Sequence, residues 1–184
     1  MSTTERPDFD KLVEYYPSPK VIMLPVLKQM IGGGLMTPWA QSEINDSCTL
    51  RMSRALNYGS KFHIPTHFHG LRTLKGADGF NYAYAVQEFH TWMKSKFGHP
   101  DIIQKGKPVK RDAFLNNKGI MVFDIVFGLN DDHTTRALGH ADLWDGHTFY
   151  DEISGQSNAR RDFFNIADAV SLWRCPGTAM LPTS

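Results

Sequence analysis

The sequence predicts an α+β domain in which a set of helices precedes an antiparallel sheet. Apolar residues recur at helical spacing in several segments of the first half, whereas residues 119–127 are rich in β-branched and aromatic residues and two more strand-like segments follow. The pair Asp145-Gly146 lies between two strand-like segments and is typical of a tight hairpin turn. Helices followed by a run of strands are the usual order of an α+β domain.

Length and composition predict a single domain over residues 1–184, with one buried core, because the chain has 184 residues and 41% of them are hydrophobic. The net charge is +1 without a long basic run, so nucleic-acid binding has no electrostatic support. No apolar stretch approaches the roughly 18 residues that span a membrane. The first residues do not have the pattern of a secretory signal peptide, so we expect a cytoplasmic start and export by a different machine.

Helical elements are predicted from apolar periodicity and from the residues that interrupt it. One or two amphipathic turns are expected over residues 9–16, a short element over residues 23–30 and a longer helix over residues 82–97. A last short helix is expected within residues 166–173. Residues 32–34 are three glycines, which predict a flexible turn because Met-Thr-Pro soon follows instead of a phosphate-binding helix.

A further helix is predicted to begin at Cys48. Asp46 or Ser47 can cap it, and Arg51 and Arg54 are expected to point away from its buried face. Spacings of i, i+4, i+7 and i+8 define that face, which contains Cys48, Met52, Ala55 and Leu56. A helix N-terminus carries partial positive charge and unpaired N–H groups, so it favours the thiolate, which is the nucleophilic form of cysteine. Cys48 is therefore a candidate nucleophile if a histidine can reach its sulfur.

Three strand-like segments cover residues 119–127, 136–144 and 147–153. The first is expected to be buried on both faces because it is almost entirely apolar. If Asp145-Gly146 forms a two-residue turn, His140 lies directly opposite Asp151, with Cβ atoms about 4.5–5.5 Å apart. The hairpin then supplies a base and a carboxylate that orients it.

A thiol nucleophile needs these two groups, a base and an orienting acid. His140 is the predicted base and Asp151 the predicted acid. Asp142 is the alternative acid, since it lies two residues from His140 on the same strand face. The other interpretation of the hairpin is a purely structural His–Asp pair.

The remaining histidines and the second cysteine are weaker candidates. His63, His67 and His69 have a spacing that could bind a metal, but Pro65 interrupts the helix that would align them. They are expected to be solvated loop residues, and no metal site is predicted. Cys175 is expected to be an inert, partly buried thiol, and both cysteines are expected to be free because a disulfide would consume the nucleophile.

Two segments together resemble a known family. Residues 45–57, Asn-Asp-Ser-Cys-Thr-Leu-Arg-Met-Ser-Arg-Ala-Leu-Asn, resemble the nucleophile helix of the fourth family of type VI secretion amidase effectors. Residues 139–144, Gly-His-Ala-Asp-Leu-Trp, are similar to the histidine strand of that family, and Asp151 falls where its acid lies. The resemblance extends over about residues 17–173.

This resemblance implies a papain-like, NlpC/P60-type fold with the nucleophile helix packed on an antiparallel sheet. It implies a peptidoglycan amidase that cleaves the bond between γ-D-glutamate and meso-diaminopimelate in Gram-negative stem peptides. It also implies delivery by the type VI secretion apparatus into the periplasm of a neighbouring bacterium, and a cognate immunity protein that blocks the active site.

The expected mechanism is covalent catalysis without a metal or organic cofactor. Cys48 attacks the amide, His140 transfers the proton, Asp151 orients His140, and the backbone N–H of Cys48 is the candidate oxyanion donor. Trp39, Trp144 and the glycine-rich loop are candidates for lining the cleft. Two alternatives stay open: a cysteine protease or acyltransferase acting on another amide, and a non-catalytic binding module.

Overall fold

A computed structural model of the chain describes residues 5–126, 137–150 and 162–182. The helices are α1 (Phe9–Tyr15), α2 (Leu24–Ile31), α3 (Pro38–Glu43), α4 (Cys48–Gly59), α5 (Val86–Phe97) and α6 (Phe163–Ile166). The strands are β1 (Thr73–Lys75), β2 (Asn81–Ala83), β3 (Ile102–Lys105), β4 (Gly119–Val126), β5 (Ala137–Trp144) and β6 (Ala169–Arg174). Among the described residues, no helix is long and apolar enough to cross a membrane.

The main sheet has the strand order β3-β6-β4-β5, and each neighbouring pair is antiparallel. The predicted α+β class is therefore confirmed. Strand β4 lies inside the sheet, and its residues from Ile120 to Phe123 have no exposed surface. This confirms that the segment is buried on both faces, and it explains why the segment is a nearly continuous apolar run.

The two faces of this sheet contribute to two different hydrophobic cores. Ile120 and Val122 face the first core, which also contains buried residues of α1, α4 and α5. Met121 and Phe123 alternate with them and face the second core, which contains the aromatic residues of α6. Helix α4, which begins with Cys48, therefore packs on the first-core face.

A smaller core covers the remaining helices. The ribbon formed by β1 and β2 packs with α2 and α3 around Leu50, which belongs to the first turn of α4. The last two of the three glycines begin a short 3-10 turn at Gly33–Met36. This turn lies close against β1, since an added Cβ on Gly33 would be 2.5 Å from the carbonyl oxygen of Lys75. The predicted turn at the glycines is thus a tightly packed one.

The helix predicted within residues 166–173 is wrong, because residues Ala169–Arg174 form β6. Val170 and Leu172 face the second core and Trp173 faces the first, which is the period of two expected for a strand. A short apolar segment of this length does not distinguish a strand from a helix by periodicity alone. The helix predicted over residues 82–97 begins only at Val86, since Asn81–Ala83 pair with β1.

The predicted two-residue turn at Asp145-Gly146 is also wrong. Trp144 is bridged to Phe149 instead of His147, and Tyr150 has helical backbone geometry. Oδ1 of Asp145 accepts the backbone N–H groups of both His147 and Thr148 at 2.8 Å, which stabilises a wider loop over residues 145–148. The turn therefore does not support the register that places His140 opposite Asp151, and Asp151 itself lies outside the described residues.

Candidate active site

Cys48 is the first residue of α4, as predicted, and only 3% of its surface is exposed. Ser47 occupies the N-cap position without a capping hydrogen bond from its side chain. Asp46 supplies that bond instead, because its Oδ1 accepts the backbone N–H of Cys48 at 2.9 Å. Both residues proposed as caps therefore contribute, one by position and the other by hydrogen bonding.

The buried face predicted for this helix is confirmed, since Met52, Ala55 and Leu56 have no exposed surface. The prediction for Arg51 is wrong, because this side chain is also buried. Its guanidinium donates to the carbonyl oxygens of Pro17 at 2.8 Å and Ile22 at 2.7 Å, and its Nε donates to Ser47 Oγ at 3.1 Å. Arg51 thus connects the start of α4 to the segment between α1 and α2.

His140 lies on β5 with 5% of its surface exposed. Its ring stacks on that of Phe163, with 4.2 Å between the ring centroids and 11° between the planes. Its Nε2 is 3.3 Å from Oδ2 of the fully buried Asp142, whose Oδ1 accepts the backbone N–H of Leu143. The structure therefore places the alternative acid, Asp142, beside the predicted base.

Helix α4 packs directly on β5, the strand that holds His140. Ala141 and Leu143 point into the first core together with Cys48, whereas His140 lies on the alternate pleat and contacts Phe123 and Phe163 of the second core. The structure thus brings the nucleophile helix and the histidine strand together.

Val86, the first residue of α5, packs the start of that helix against β5. Its side chain packs on Gly139, where an added Cβ would lie 2.7 Å from Val86 Cγ1. Only glycine fits this approach, so the residue before His140 has a packing role. The first residues of α5 therefore lie against the strand immediately beside the histidine.

Tyr150 is a further residue close to these candidates, and no sequence pattern predicted it. It belongs to the same core as Cys48, and its ring stacks on that of Tyr16 with 4.5 Å between centroids. Burial and the negative charge of Asp142 raise the pKa of Tyr150 to about 12. Tyr150 therefore lies close enough to Asp142 for the two groups to interact electrostatically.

The second cysteine has the properties expected of an inert thiol. Cys175 is buried, and its burial raises the pKa of the thiol to about 12. Neither cysteine forms a disulfide, so the prediction of two free thiols is confirmed.

The loop histidines His63, His67 and His69 are exposed. Within residues 5–126, 137–150 and 162–182, no group of three potential metal ligands is found. His90, for which the sequence suggested no partner, has its Nδ1 3.0 Å from Oδ1 of Asp124. That pair joins α5 to β4, a contact between residues far apart in the chain.

The two tryptophans proposed for the cleft differ. Trp144 is fully buried in the second core and donates from Nε1 to the carbonyl oxygen of Phe114 at 2.9 Å, so it does not line a cleft. Trp39 is 49% exposed and contacts Tyr84 edge-on. It stays a candidate for contact with a ligand.

The structure combines a cysteine at a helix start with an antiparallel sheet, and the strand that contacts this helix holds a histidine and a carboxylate. This combination is typical of α+β cysteine hydrolases. Within this class, the model of one family matches residues 44–173, and its description is "Type VI secretion system (T6SS), amidase effector protein 4". The chain belongs to this family. A comparison with curated protein sequences gives no significant match.

Solved structures give the same result. The effector Tae4 from Salmonella typhimurium, in complex with the immunity protein Tai4 from Enterobacter cloacae, is 26% identical over 93% of this chain and 100% of that chain, with a TM-score of 0.72. The Tae4-Tai4 complex from Enterobacter cloacae is 22% identical over 93% and 99% of the two chains, with a TM-score of 0.72. Tae4 from Enterobacter cloacae is 21% identical over 94% and 99%, with a TM-score of 0.71. The latter two show a shared fold.

The family resemblance seen in the sequence is therefore confirmed. The chain has the papain-like, NlpC/P60-related fold of these effectors. It is a type VI secretion amidase effector, an antibacterial hydrolase that cleaves the amide between γ-D-glutamate and meso-diaminopimelate in peptidoglycan. As an effector of this system it is delivered to a target cell.

Proposed function

We propose that Cys48, His140 and Asp151 catalyse this amide hydrolysis. The observation that supports the proposal most strongly is the position of Cys48, at the first residue of a helix that packs on the strand of His140. The helix start favours a thiolate by its partial positive charge and its N–H groups. A positively charged imidazole within reach of the sulfur would add to this effect.

The reaction proceeds in two stages. His140 accepts the thiol proton, the sulfur of Cys48 bonds to the γ-carbonyl carbon of D-glutamate, and His140 gives the proton to the amine of diaminopimelate as the carbon–nitrogen bond breaks. Water then attacks the resulting thioester, with His140 accepting a proton from the water. The thiol leaves, and the γ-carboxylate of D-glutamate and free Cys48 are regenerated.

The assignment of the acid has two candidates with different support. Asp151 falls at the position of the acid in the resemblance to the family, and it is the residue that we propose to orient His140. Asp142 has a direct contact, because its Oδ2 lies 3.3 Å from His140 Nε2. A carboxylate at either position would fix the tautomer of the imidazole and stabilise its protonated form.

The oxyanion site requires a rearrangement at Asp46. The backbone N–H of Cys48 is the proposed donor, but it is bonded to Oδ1 of Asp46. An oxyanion beside an ionised carboxylate would be repelled. We therefore propose that the substrate carbonyl displaces the exposed side chain of Asp46, which frees this N–H for the transition state.

The relatives of the chain support proposals for where the enzyme acts and what inhibits it. Peptidoglycan lies in the periplasm of Gram-negative bacteria, so we propose that the type VI apparatus delivers the chain to that compartment. Structures of the Tae4 relatives contain the immunity protein Tai4. We propose that a cognate immunity protein binds this chain in the producing bacterium and covers its active site.

Digestion of purified Gram-negative sacculi tests the proposed nucleophile. The wild-type protein and Cys175→Ala should release peptides that begin with diaminopimelate, and mass spectrometry of the muropeptides identifies this product. Cys48→Ala should release none of it. Equal products from Cys48→Ala and wild type would contradict the role of Cys48, and cleavage of a different amide would support the alternative protease or acyltransferase.

A further inference from the structure

We propose that Arg72, together with Tyr84 and Trp39, forms a binding subsite for a carboxylate of the stem peptide beside the start of α4. We call these three residues the Arg72 subsite. The inference rests on the proposed function, since it concerns how the same active site recognises its substrate. It is supported by the anchoring of Arg72, by the aromatic surface under it and by its position.

The first observation is that Glu88 holds Arg72 in a fixed orientation. Oε1 of Glu88 accepts from Arg72 Nε at 2.6 Å, and Oε2 accepts from the backbone N–H of Arg72 at 2.8 Å. Glu88 belongs to the first turn of α5, and 23% of its side chain is exposed. Both carboxylate oxygens of Glu88 thus bind one residue, and the arginine is anchored at its backbone and at Nε.

The anchoring leaves the outer edge of the guanidinium available. The side chain of Arg72 is 63% exposed, and within the described ranges its Nη1 and Nη2 have no hydrogen-bond partner. A guanidinium has five N–H donors in one plane, and its Nη edge matches the two oxygens of a carboxylate. Because Glu88 neutralises the charge locally, we expect recognition to depend on this fixed geometry more than on long-range attraction.

The second observation is a half-buried tyrosine ring under the guanidinium, with an exposed tryptophan against the same ring. The Cζ atom of Arg72 lies 5.5 Å from the ring centroid of Tyr84, within the range of a cation–π contact. Trp39 packs edge-on against the same ring, with 5.7 Å between centroids, and is about half exposed. Trp39 and Arg72 contact the same tyrosine ring, so together they offer an apolar surface for a peptide backbone and a polar edge for its carboxylate.

The third observation places this surface beside the first turn of α4, the helix that begins with the nucleophile. Helix α4 and strand β2 run in opposite directions, since Asn57 Nδ2 donates to the carbonyl oxygen of Asn81 and the N–H of Ala83 donates to Ser53 Oγ. Four helix residues span about 6 Å and two strand residues about 6.6 Å, so each two residues along β2 lie beside the next four residues back along α4. Tyr84 follows directly and therefore lies beside the first turn of α4.

Packing of the neighbouring side chains agrees with this position. Tyr84 packs against the core that contains Leu50, two residues after Cys48. Trp39 belongs to α3, and the chain runs from the end of α3 to Cys48 through the segment Ile44–Ser47. Tyr84 therefore lies beside the first turn of α4, and both Arg72 and Trp39 contact its ring.

The substrate has carboxylates that suit this subsite. Because D-glutamate is linked through its γ-carboxyl group, its α-carboxylate stays free, four covalent bonds from the scissile carbonyl carbon. Diaminopimelate also retains a free carboxylate on its distal centre. We assign the carboxylate of the stem peptide as the ligand of Arg72, and substrates blocked at one or the other group identify which carboxylate it is.

The test compares kcat and KM of wild type and Arg72→Gln on synthetic stem peptides. One peptide has all carboxylates free, one has the D-glutamate α-carboxyl amidated, and one has the distal diaminopimelate carboxyl amidated. We expect Arg72→Gln to raise KM about tenfold or more on the free peptide, because it removes a charge-assisted hydrogen-bonded pair. We expect kcat to change little. The peptide that is amidated at the carboxyl group bound by Arg72 should have the same raised KM with wild type and with Arg72→Gln.

Arg54→Gln is a matched control. Arg54 also lies over a tyrosine, with its Cζ 4.4 Å from the ring centroid of Tyr58, and it belongs to the same helix as Cys48. Its substitution should leave KM unchanged. Arg72→Lys retains the charge without the planar edge, so it should give an intermediate KM, and it serves as the test variant if Arg72→Gln does not fold.

Two results would overturn the assignment. One is a KM for Arg72→Gln within about twofold of wild type on the free peptide. The other is an equal loss on free and both amidated peptides, which would indicate a structural role. A wrong assignment of the catalytic residues would give a different result. Cys48→Ala would then continue to cleave the substrate, whether or not Arg72→Gln changes KM.

Discussion

The start of α4 and the strand β5 position the two main catalytic candidates by different kinds of contact. At the start of α4 the backbone is held by polar contacts, with Asp46 bonded to the N–H of Cys48 and Arg51 bonded to carbonyl oxygens of the preceding segment. Around His140 they are mostly aromatic, with Phe163 stacked on the imidazole. Hydrogen bonds fix direction, whereas stacking fixes a plane and excludes water. The comparison indicates that the nucleophile is oriented from its backbone and the base from the faces of its ring.

The largest change in kcat is expected when the carboxylate that orients His140 is replaced. Asp151→Asn should lower kcat on the order of a hundredfold, because an amide cannot stabilise the protonated imidazole. Asp142→Asn should lower it less than about tenfold, since the amide oxygen can still accept from the N–H of Leu143. Muropeptide release at matched enzyme concentration measures both. The reverse order would assign the acid to Asp142, the residue in direct contact with His140.

The polar contacts on the Cys48 side should also contribute to stability. Arg51→Ala removes a buried guanidinium and leaves the carbonyl oxygens of Pro17 and Ile22 without their donor, so we expect a loss of about 2–3 kcal/mol in the free energy of unfolding. Arg54→Ala on the same helix is the control and should cost less than about 1 kcal/mol. Urea unfolding followed by circular dichroism gives both values. Equal losses would mean that the buried hydrogen bonds of Arg51 are not the cause.

A smaller effect is expected from the aromatic contacts. Phe163→Leu keeps an apolar side chain but removes the ring stacked on His140, so stability should fall by about 1 kcal/mol. The loss of kcat should be greater than this loss of stability suggests, because the imidazole is no longer held in one plane. Measurement of kcat at a temperature well below Tm separates the two effects. Unchanged kcat would show that stacking on Phe163 does not orient the base.

The smallest effect is expected at Asp46. Asp46→Ala frees the backbone N–H of Cys48, so kcat should stay the same or rise a few fold while Tm falls slightly through the loss of a helix cap. Asp46→Asn retains an acceptor oxygen and should resemble wild type in stability. Steady-state kinetics and thermal unfolding of both variants test this. A large fall in kcat for Asp46→Ala would contradict the proposal that Asp46 only occupies the oxyanion site.

Local patterns predicted the parts of the fold that depend on local physics. The start of α4 and its buried face follow from apolar spacing and capping residues, and β4 follows from a long apolar run. Segments with weaker patterns were predicted less well. Strand β6 is short enough to suit either period, and its place in the sheet is set by pairing with β3 and β4.

The errors at single residues have a common cause, which is hydrogen bonding that sequence spacing does not show. Asp145 widens its turn because its carboxylate accepts two backbone N–H groups and that of Leu181. Arg51 is buried because carbonyl oxygens about thirty residues earlier in the chain receive its protons. The hydrogen bonds between Arg72 and Glu88 could not be predicted either, because no sequence motif relates these two residues. The contact of His140 with Asp142, in contrast, follows from their shared strand face and was foreseen as an alternative.

The pairing of Cys48 with His140 is the central claim, and the pH dependence of thiol alkylation tests it most directly. Iodoacetamide labelling is measured from pH 5 to pH 10 in a Cys175→Ala background, with and without His140→Gln. With His140 present, the labelling rate of Cys48 should reach its plateau below about pH 7, as for a thiolate stabilised by an imidazolium. Without His140, the midpoint should move toward the ordinary thiol pKa of about 8.5. Identical profiles for the two proteins would contradict the pairing.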